Sequence, residues 1–262
     1  MKMDTTIISV SNQKGGVSKT GVSFNLGSAL ALKHDKRVLL VDLDPQANLS
    51  EYLKYEPDGK PTLTQLVMTA CTGGRLTPEL VGSAIRHNDT AGVDYIPSDI
   101  NLANSETLMQ TALSRETILR RILSEDNISE YDFVIIDCLP FLGTLLINAL
   151  TAADRLLVPV QTQKFSLDGL QSLTALYEQI RAAINPKLNM LGVLPTMVDR
   201  TNVSKNALEE LQKKYGSMLF DTRISKSVEA AKSSENGIPL CMTAHKLGTE
   251  YDNLATEVLS RC

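Results

Sequence analysis

Asn12-Gln-Lys-Gly-Gly-Val-Ser-Lys-Thr20 is the stretch on which the reading of this chain turns. It follows a β-branched run, Thr6-Ile-Ile-Ser-Val-Ser11, and precedes Val22–Leu32, where Val22, Leu26, Ala29, Leu30 and Leu32 form an apolar helical stripe. A glycine turn between a strand and a helix exposes the unpaired amides and positive dipole end of that helix, a natural cradle for an anion. Lys19 adds a point charge for phosphate oxygens, and the Thr20 hydroxyl is suited to Mg²⁺. The common phosphate-loop pattern G-x-x-x-x-G-K-[ST] is met only at Lys19 and Thr20, because Gln13 and Ser18 stand where its glycines belong. The pattern K-G-G-x-x-K-[ST] is met throughout, by Lys14, Gly15, Gly16, Lys19 and Thr20.

Arg37–Val41, Val93–Ile96, Phe133–Ile136, Leu156–Val158, Met190–Leu194 and Met218–Phe220 read as further strands. Helices are expected at Ser114–Ser124, Leu167–Ile184, Ser204–Lys214 and Thr249–Leu259, the second capped by Ser166 and ended by Asn185-Pro186. Near-continuous apolar strands separated by helices predict a doubly wound, mostly parallel α/β sheet covered on both faces. Pro57–Asn88, rich in Pro and Gly, reads as surface helices and loops inserted after the second strand, so residues 1–262 are expected to form one domain. Its 262 residues are 43% hydrophobic, enough for a sizeable core and against intrinsic disorder. No apolar run reaches the ~18–20 residues of a membrane-spanning helix, and no secretory signal opens the chain. Four scattered cysteines and three dispersed histidines favour neither a disulfide framework nor a zinc site, and point to a reducing cytoplasm. The formal charge of −4 means that any nucleic-acid binding must come from a local basic patch.

Two carboxylate motifs accompany the loop. Val41-Asp-Leu-Asp-Pro-Gln46 ends the second strand with Asp42 and Asp44, where ligands of such sheets bind. Tyr131-Asp-Phe-Val-Ile-Ile-Asp-Cys-Leu-Pro140 ends an apolar strand in Asp137, the manner in which a Walker-B carboxylate is presented to Mg²⁺. Cys138 reads as a small buried residue beside it.

Together these motifs resemble the deviant Walker A branch of phosphate-loop NTPases (SIMIBI type), the ParA/MinD family. V-D-x-D-P-Q is met without substitution; at the third motif Leu139 replaces the first proline of the family's D-x-P-P. The similarity continues through Val158–Gly169, the loop Leu194–Thr201 bordering the adenine pocket, and Gly237-Ile-Pro-Leu240. Length and the lack of an N-terminal DNA-binding extension are similar to the compact Soj-like ParA proteins. The resemblance implies an ATPase using ATP and Mg²⁺, with Gly15, Gly16, Val17, Ser18, Lys19, Thr20, Gly21 and Met197 around the nucleotide. Asp44 would orient the attacking water, and Thr20, Asp42 and Asp137 would serve the metal. Lys14 would reach the phosphates of a second copy in a nucleotide-sandwich homodimer. That dimer would bind DNA non-specifically on the nucleoid and be released by hydrolysis that a ParB-type centromere-binding protein stimulates.

Residues 200–232 carry seven basic and four acidic side chains in an otherwise acidic protein. Arg200, Arg223, Lys226 and Lys232 are the candidate DNA contacts among them. Gly21 stands where relatives have a second threonine for the α-phosphate, and Ser18 costs roughly 1–2 kcal/mol if its position needs positive φ. Both predict modest nucleotide affinity or slow turnover. The alternatives are a MinD-like or other cargo-positioning ATPase, and a nucleotide-sensing scaffold that scarcely hydrolyses ATP. Glu250, Asp252 and Glu257 against Arg261 make the last helix a packed element, not a basic membrane-binding one, so no membrane contact is expected.

Overall fold

The computed structural model describes residues 5–162 and 167–262. β1 (Thr6–Val10) runs through the glycine loop into α1 (Lys19–His34), which returns the chain to β2 (Val38–Asp42). α2 (Asn48–Tyr52), α3 (Leu63–Cys71) and α4 (Pro78–Ser83) come next, then the strands β3 (Arg86–Asn88) and β4 (Val93–Ile96). α5 (Leu102–Met109), α6 (Ile118–Ile122) and α7 (Glu125–Ile128) lead to β5 (Phe133–Asp137), α8 (Thr144–Ala152) and β6 (Arg155–Gln161). The order ends with α9 (Leu167–Ala183), β7 (Asn189–Thr196), α10 (Asn202–Tyr215), α11 (Glu229–Asn236) and α12 (Lys246–Arg261).

The strands form one seven-stranded sheet in the order β3-β4-β2-β5-β1-β6-β7. Only β3 is antiparallel, on the edge beside β4. The period of two divides each strand between two cores. Ile7, Leu39, Val41, Val134 and Ile136 face a layer containing α3, α6, α8 and α9, whereas Ile8, Val10, Leu40, Phe133 and Ile135 face α1 and α12. This is the doubly wound α/β architecture that the alternating apolar runs predict. β1 lies between β5 and β6, so the loop leaving its carboxyl end opens into the crevice such sheets reserve for ligands.

Three sequence-based expectations need correction. Met218–Phe220 is not a strand: Gly216–Met218 is a 3₁₀ turn, and Leu219 makes a single bridge to Val193. Its continuation has no ladder to join, because the amides of Asp221 and Thr222 donate to the Glu257 carboxylate at 3.0 and 2.9 Å. Ser114–Ser124 is not one helix; Ser114 is left-handed (φ 51°), a 3₁₀ turn spans Arg115–Thr117, and α6 begins at Ile118. There the Leu119 amide bonds the Asn148 side chain. Within Pro57–Asn88 the helices α3 and α4 are present, but the segment also supplies β3, whose polar Arg-His-Asn gives no strand pattern. The cap expected of Ser166 lies outside the described residues, as does part of the Val158–Gly169 similarity. Among the described residues no helix is long and apolar enough to cross a membrane.

Asn185 closes the far end of the helical layer. Its buried side-chain amide lies 3.0, 3.1 and 2.7 Å from the carbonyls of Leu150, Thr151 and Ala153, at the end of α8. Asn185→Ala should therefore lower the unfolding free energy by roughly 1–3 kcal/mol, the penalty for buried acceptors without donors, measured by urea denaturation. An unchanged midpoint would show that these carbonyls find other donors.

Candidate functional site

The loop begins with an Asn turn. Asn12 Nδ2 donates to the Pro159 carbonyl at 2.7 Å, and Asn12 Oδ1 accepts from the Lys14 amide at 3.0 Å. Gly16 (φ 73°) and Ser18 (φ 69°, ψ 28°) then turn the chain left-handed into α1. Glycine bears such a conformation freely; for Ser18 it costs roughly 1–2 kcal/mol. The strained turn is pinned from β7, where Thr196 Oγ1 donates to the Val17 carbonyl at 3.1 Å. Val17 is buried, while Gly15 and Gly16 are exposed and offer their backbone to a ligand. A Cβ placed on Gly21 would meet only Ser18 Cβ at 3.9 Å and Tyr251 Oη at 4.0 Å, so packing does not demand glycine there.

Lys19 is 7% exposed, and its Nζ donates to the Lys14 carbonyl at 3.3 Å. Burial lowers its pKa, against the charges of Asp137 and Asp44. Lys14 is only partly buried. Thus the two lysines of the motif differ in kind: one is sheltered under the loop, the other partly open to solvent.

The acids divide in the same way. Asp42 and Asp137 are register partners at the ends of β2 and β5. Asp42 Oδ2 accepts from Ser50 N and Oγ at 2.8 and 2.7 Å, and its Oδ1 accepts from the Asp44 amide at 3.2 Å. Asp137 Oδ1 accepts from Ser23 Oγ at 2.9 Å, whereas its buried Oδ2 has no hydrogen-bond partner. Burial pushes Asp42 up to about 6. Burial and the neighbouring Asp42 charge push Asp137 up to about 7, against Thr20, Ser23 and Lys19. Asp44 is 8% exposed and opens a turn, with Gln46 N on its Oδ1 at 2.9 Å and Ala47 N on its carbonyl. The buried Cys138 thiol, pushed up to about 12 by burial, is inert packing beside Ser9.

A divalent cation fits this donor set through the Asp137 carboxylate, which lies near Thr20 and keeps one buried oxygen without a hydrogen-bond partner. Asp42 already accepts hydrogen bonds on both of its oxygens, which ties it to the protein on either side. Sequence reasoning missed Asn12, Ser23, Ser50 and Thr196. An Asx turn before the glycines could have exposed Asn12, and Ser23 lies one turn beyond Lys19; Ser50 and Thr196 are distant in sequence and gave no signal.

Met197 has φ 50° and follows β7, its carbonyl 3.5 Å from Thr162 Oγ1. Directly after it, Val198 and Ser225 form a parallel bridge, with Val198 N on the Ile224 carbonyl and Lys226 N on the Val198 carbonyl. That bridge brings Arg200, Arg223 and Lys226 onto adjoining segments, all exposed. Lys232 is separate, on α11, and pairs with Glu229 at 2.7 Å.

A family model described as an AAA domain matches residues 5–190. Sporulation initiation inhibitor protein Soj of Bacillus subtilis (strain 168) is 38% identical over 255 residues, covering 96% of this chain and 97% of that protein. Chromosome partitioning protein ParA of Caulobacter vibrioides (strain NA1000 / CB15N) is 35% identical over 260 residues, covering 97% and 94%. Among solved structures, cobyrinic acid a,c-diamide synthase from Mycobacterium smegmatis with bound ADP and magnesium aligns with a TM-score of 0.81 at 32% identity, covering 97% of this chain and 94% of that one.

The paired acids predict a pH dependence of stability. Asp42 near 6 and Asp137 near 7 hold protons in the folded state that the unfolded chain releases near pH 4. Their stabilising contribution is complete below the unfolded value and is lost as pH rises through the folded ones. The urea midpoint of nucleotide-free protein should therefore fall between pH 5 and 7.5, and Asp137→Asn should flatten that fall. A slope equally steep in the variant would contradict the assignment.

Proposed function

Because the chain belongs to the ParA/Soj family of partition ATPases, we propose that residues 1–262 act as one ATPase domain that binds ATP with magnesium at the 14–21 loop. In that state two copies pair across the nucleotide and hold DNA without sequence preference. The observation that carries this reading is the division of labour at the loop, with Lys19 sheltered near an Asp137 carboxylate that keeps one oxygen without a hydrogen-bond partner, and Lys14 partly open to solvent.

The amides opening α1 would receive the phosphates, and Lys19 would sit against their charge. Thr20 and Asp137 would hold the magnesium, which when bound neutralises charge across the terminal phosphates. Asp42 keeps the β2 end rigid through Ser50, so that Asp44, next but one, is presented to the attacking water. Lys14, aimed at the partner's nucleotide, would add a cation where negative charge develops. Left-handed Ser18 and the missing side chain at Gly21 weaken the grip, which suits a slow enzyme that a ParB-type partner accelerates.

Arg200, Arg223 and Lys226 would meet DNA phosphates, with Lys232 contributing from α11. The site would operate in the cytoplasm, on the nucleoid. A membrane-cycling role is disfavoured by α12, which buries Leu247, Tyr251, Leu254, Ala255 and Val258. Its acids are occupied as well, Glu250 by Ser225 and Lys246, and Glu257 by Arg261.

Calorimetry with ATP and magnesium tests the nucleotide step directly, and an absence of heat would end the proposal. With uptake established, light scattering should show ATP-dependent dimers for the wild type, none for Lys14→Ala, and persistent ones for Asp44→Ala. For the basic segment, Arg200→Ala and Lys226→Ala should each weaken DNA retention and lower the salt-dependence slope by about 0.9 for each phosphate no longer neutralised. Unchanged retention at low salt would remove those residues from the interface.

A further inference from the structure

The loop leaving Asp137 runs Cys138-Leu-Pro-Phe-Leu-Gly143 and enters α8 at Thr144. Its near end is fixed: the Asp137 carbonyl accepts from Leu43 N at 3.0 Å, and Cys138 N donates to the Val10 carbonyl at 3.3 Å. Its middle, Pro140 and Phe141, lies on the surface. The far end lacks a local anchor, because Gly143 stands at the N-cap of the nine-residue α8 and has no side chain to receive the first amides.

Glu106, from α5, supplies that acceptor. Its Oε1 accepts from Thr144 N at 2.8 Å and lies 3.5 Å from Leu145 N. The carboxylate also complements the positive end of the α8 dipole. The contact depends on glycine: a Cβ on Gly143 would collide with Glu106 Oε1 and come within 2.9 Å of the Phe141 ring.

The helix carrying Glu106 is tied back to the other acid. Ser50, which donates twice to Asp42, accepts from Ser98 N at 3.0 Å on its Oγ. Just beyond Ser98, Leu102 N bonds the Asp99 carbonyl at the start of α5, which is buried through Leu102, Ser105 and Met109. One continuous route of hydrogen bonds and short chain thus joins the β2 end to the far end of the loop that begins at β5.

We propose that Glu106 is a positioning residue for the ATPase reaction, holding the 138–143 loop in register with the Asp42 segment so that both respond together to the nucleotide. It rests on the reading of Asp42, Asp44 and Asp137 as the triphosphate end of the site. Glu106 touches none of the reacting groups; it acts through the loop. Glutamine keeps an acceptor oxygen in place, whereas alanine leaves the Thr144 and Leu145 amides open.

The chain contains no tryptophan, so Phe141→Trp gives a single reporter on the loop. A non-hydrolysable ATP analogue with magnesium should shift the tryptophan emission of full-length F141W and of F141W/E106Q, and should fail to do so in F141W/E106A. In the background without the reporter, E106A should lower kcat by about tenfold with KM changed less than about twofold, and E106Q should recover most of the rate. Gly143→Ala, which displaces the Glu106 carboxylate, should reproduce the E106A loss and keeps the test open should E106A not fold. An emission response and kcat preserved in E106A or G143A would overturn the proposal and leave Glu106 a plain helix cap. If F141W itself takes up no analogue in calorimetry, the underlying reading of the site falls and the proposal with it. Uptake in all variants with an undiminished response refutes Glu106 alone.

Discussion

Two carboxylates stand side by side at the carboxyl ends of β2 and β5, both withdrawn from water. Burying one such charge is unfavourable, and burying two together compounds the penalty. The protein answers unequally. Asp42 receives three donors and becomes part of the scaffold; Asp137 receives Ser23 and the nearby Lys19 charge, and keeps one oxygen open. Much of the surrounding structure follows from that inequality. The Asp42 bonds seat α2 through Ser50 and hold Ser98 at the end of β4, while the partnerless Asp137 oxygen is, under the proposed function, a place for the magnesium.

Some of the backbone strain lies at the same edge. Six non-glycine residues among those described have positive φ, and Ser18, Ala47 and Met197 among them occupy the loops that follow β1, β2 and β7. Each is tied at or beside the residue: the Val17 carbonyl next to Ser18 by Thr196, the Ala47 amide by the Asp44 carbonyl of its own turn, and the Met197 carbonyl by Thr162. Strain of this order persists only where neighbours over-determine it.

The parallel sheet and the phosphate loop were legible in the sequence because both rest on local signals. Runs such as Val134–Ile136 are buried on both faces and leave no alternation to misread, and the glycine and lysine spacing follows from the geometry of a strand–turn–helix junction. The errors arose where long-range bonds overrule local pattern. Met218–Phe220 is apolar enough for a strand, yet it starts in a 3₁₀ turn and Glu257 takes the next two amides, those of Asp221 and Thr222, that would continue a ladder. Arg86 carries no strand signal, but its guanidinium bonds Asp58 and the Lys60 carbonyl, holding β3 to the segment that precedes α3. In the site, lysines and aspartates announce themselves by type. Their supports Ser50, Thr196 and Glu106 are ordinary residues whose importance exists only in three dimensions.

An acidic chain that holds DNA must do so locally. With a net charge of −4, long-range attraction to phosphate is absent, and only a concentrated patch can act within the ~10 Å over which salt leaves charges unscreened. The Val198–Ser225 bridge makes such a concentration by joining two segments whose cations are twenty-three or more residues apart in sequence. One patch of three or four cations gives weak, salt-sensitive retention. Two patches fixed to a single body act with a high effective local concentration for the second contact, so pairing alone multiplies affinity without any new residue. Under the proposed function the nucleotide therefore need not reshape the basic segment: it is enough that Lys14 and the triphosphate decide whether one copy or two are present.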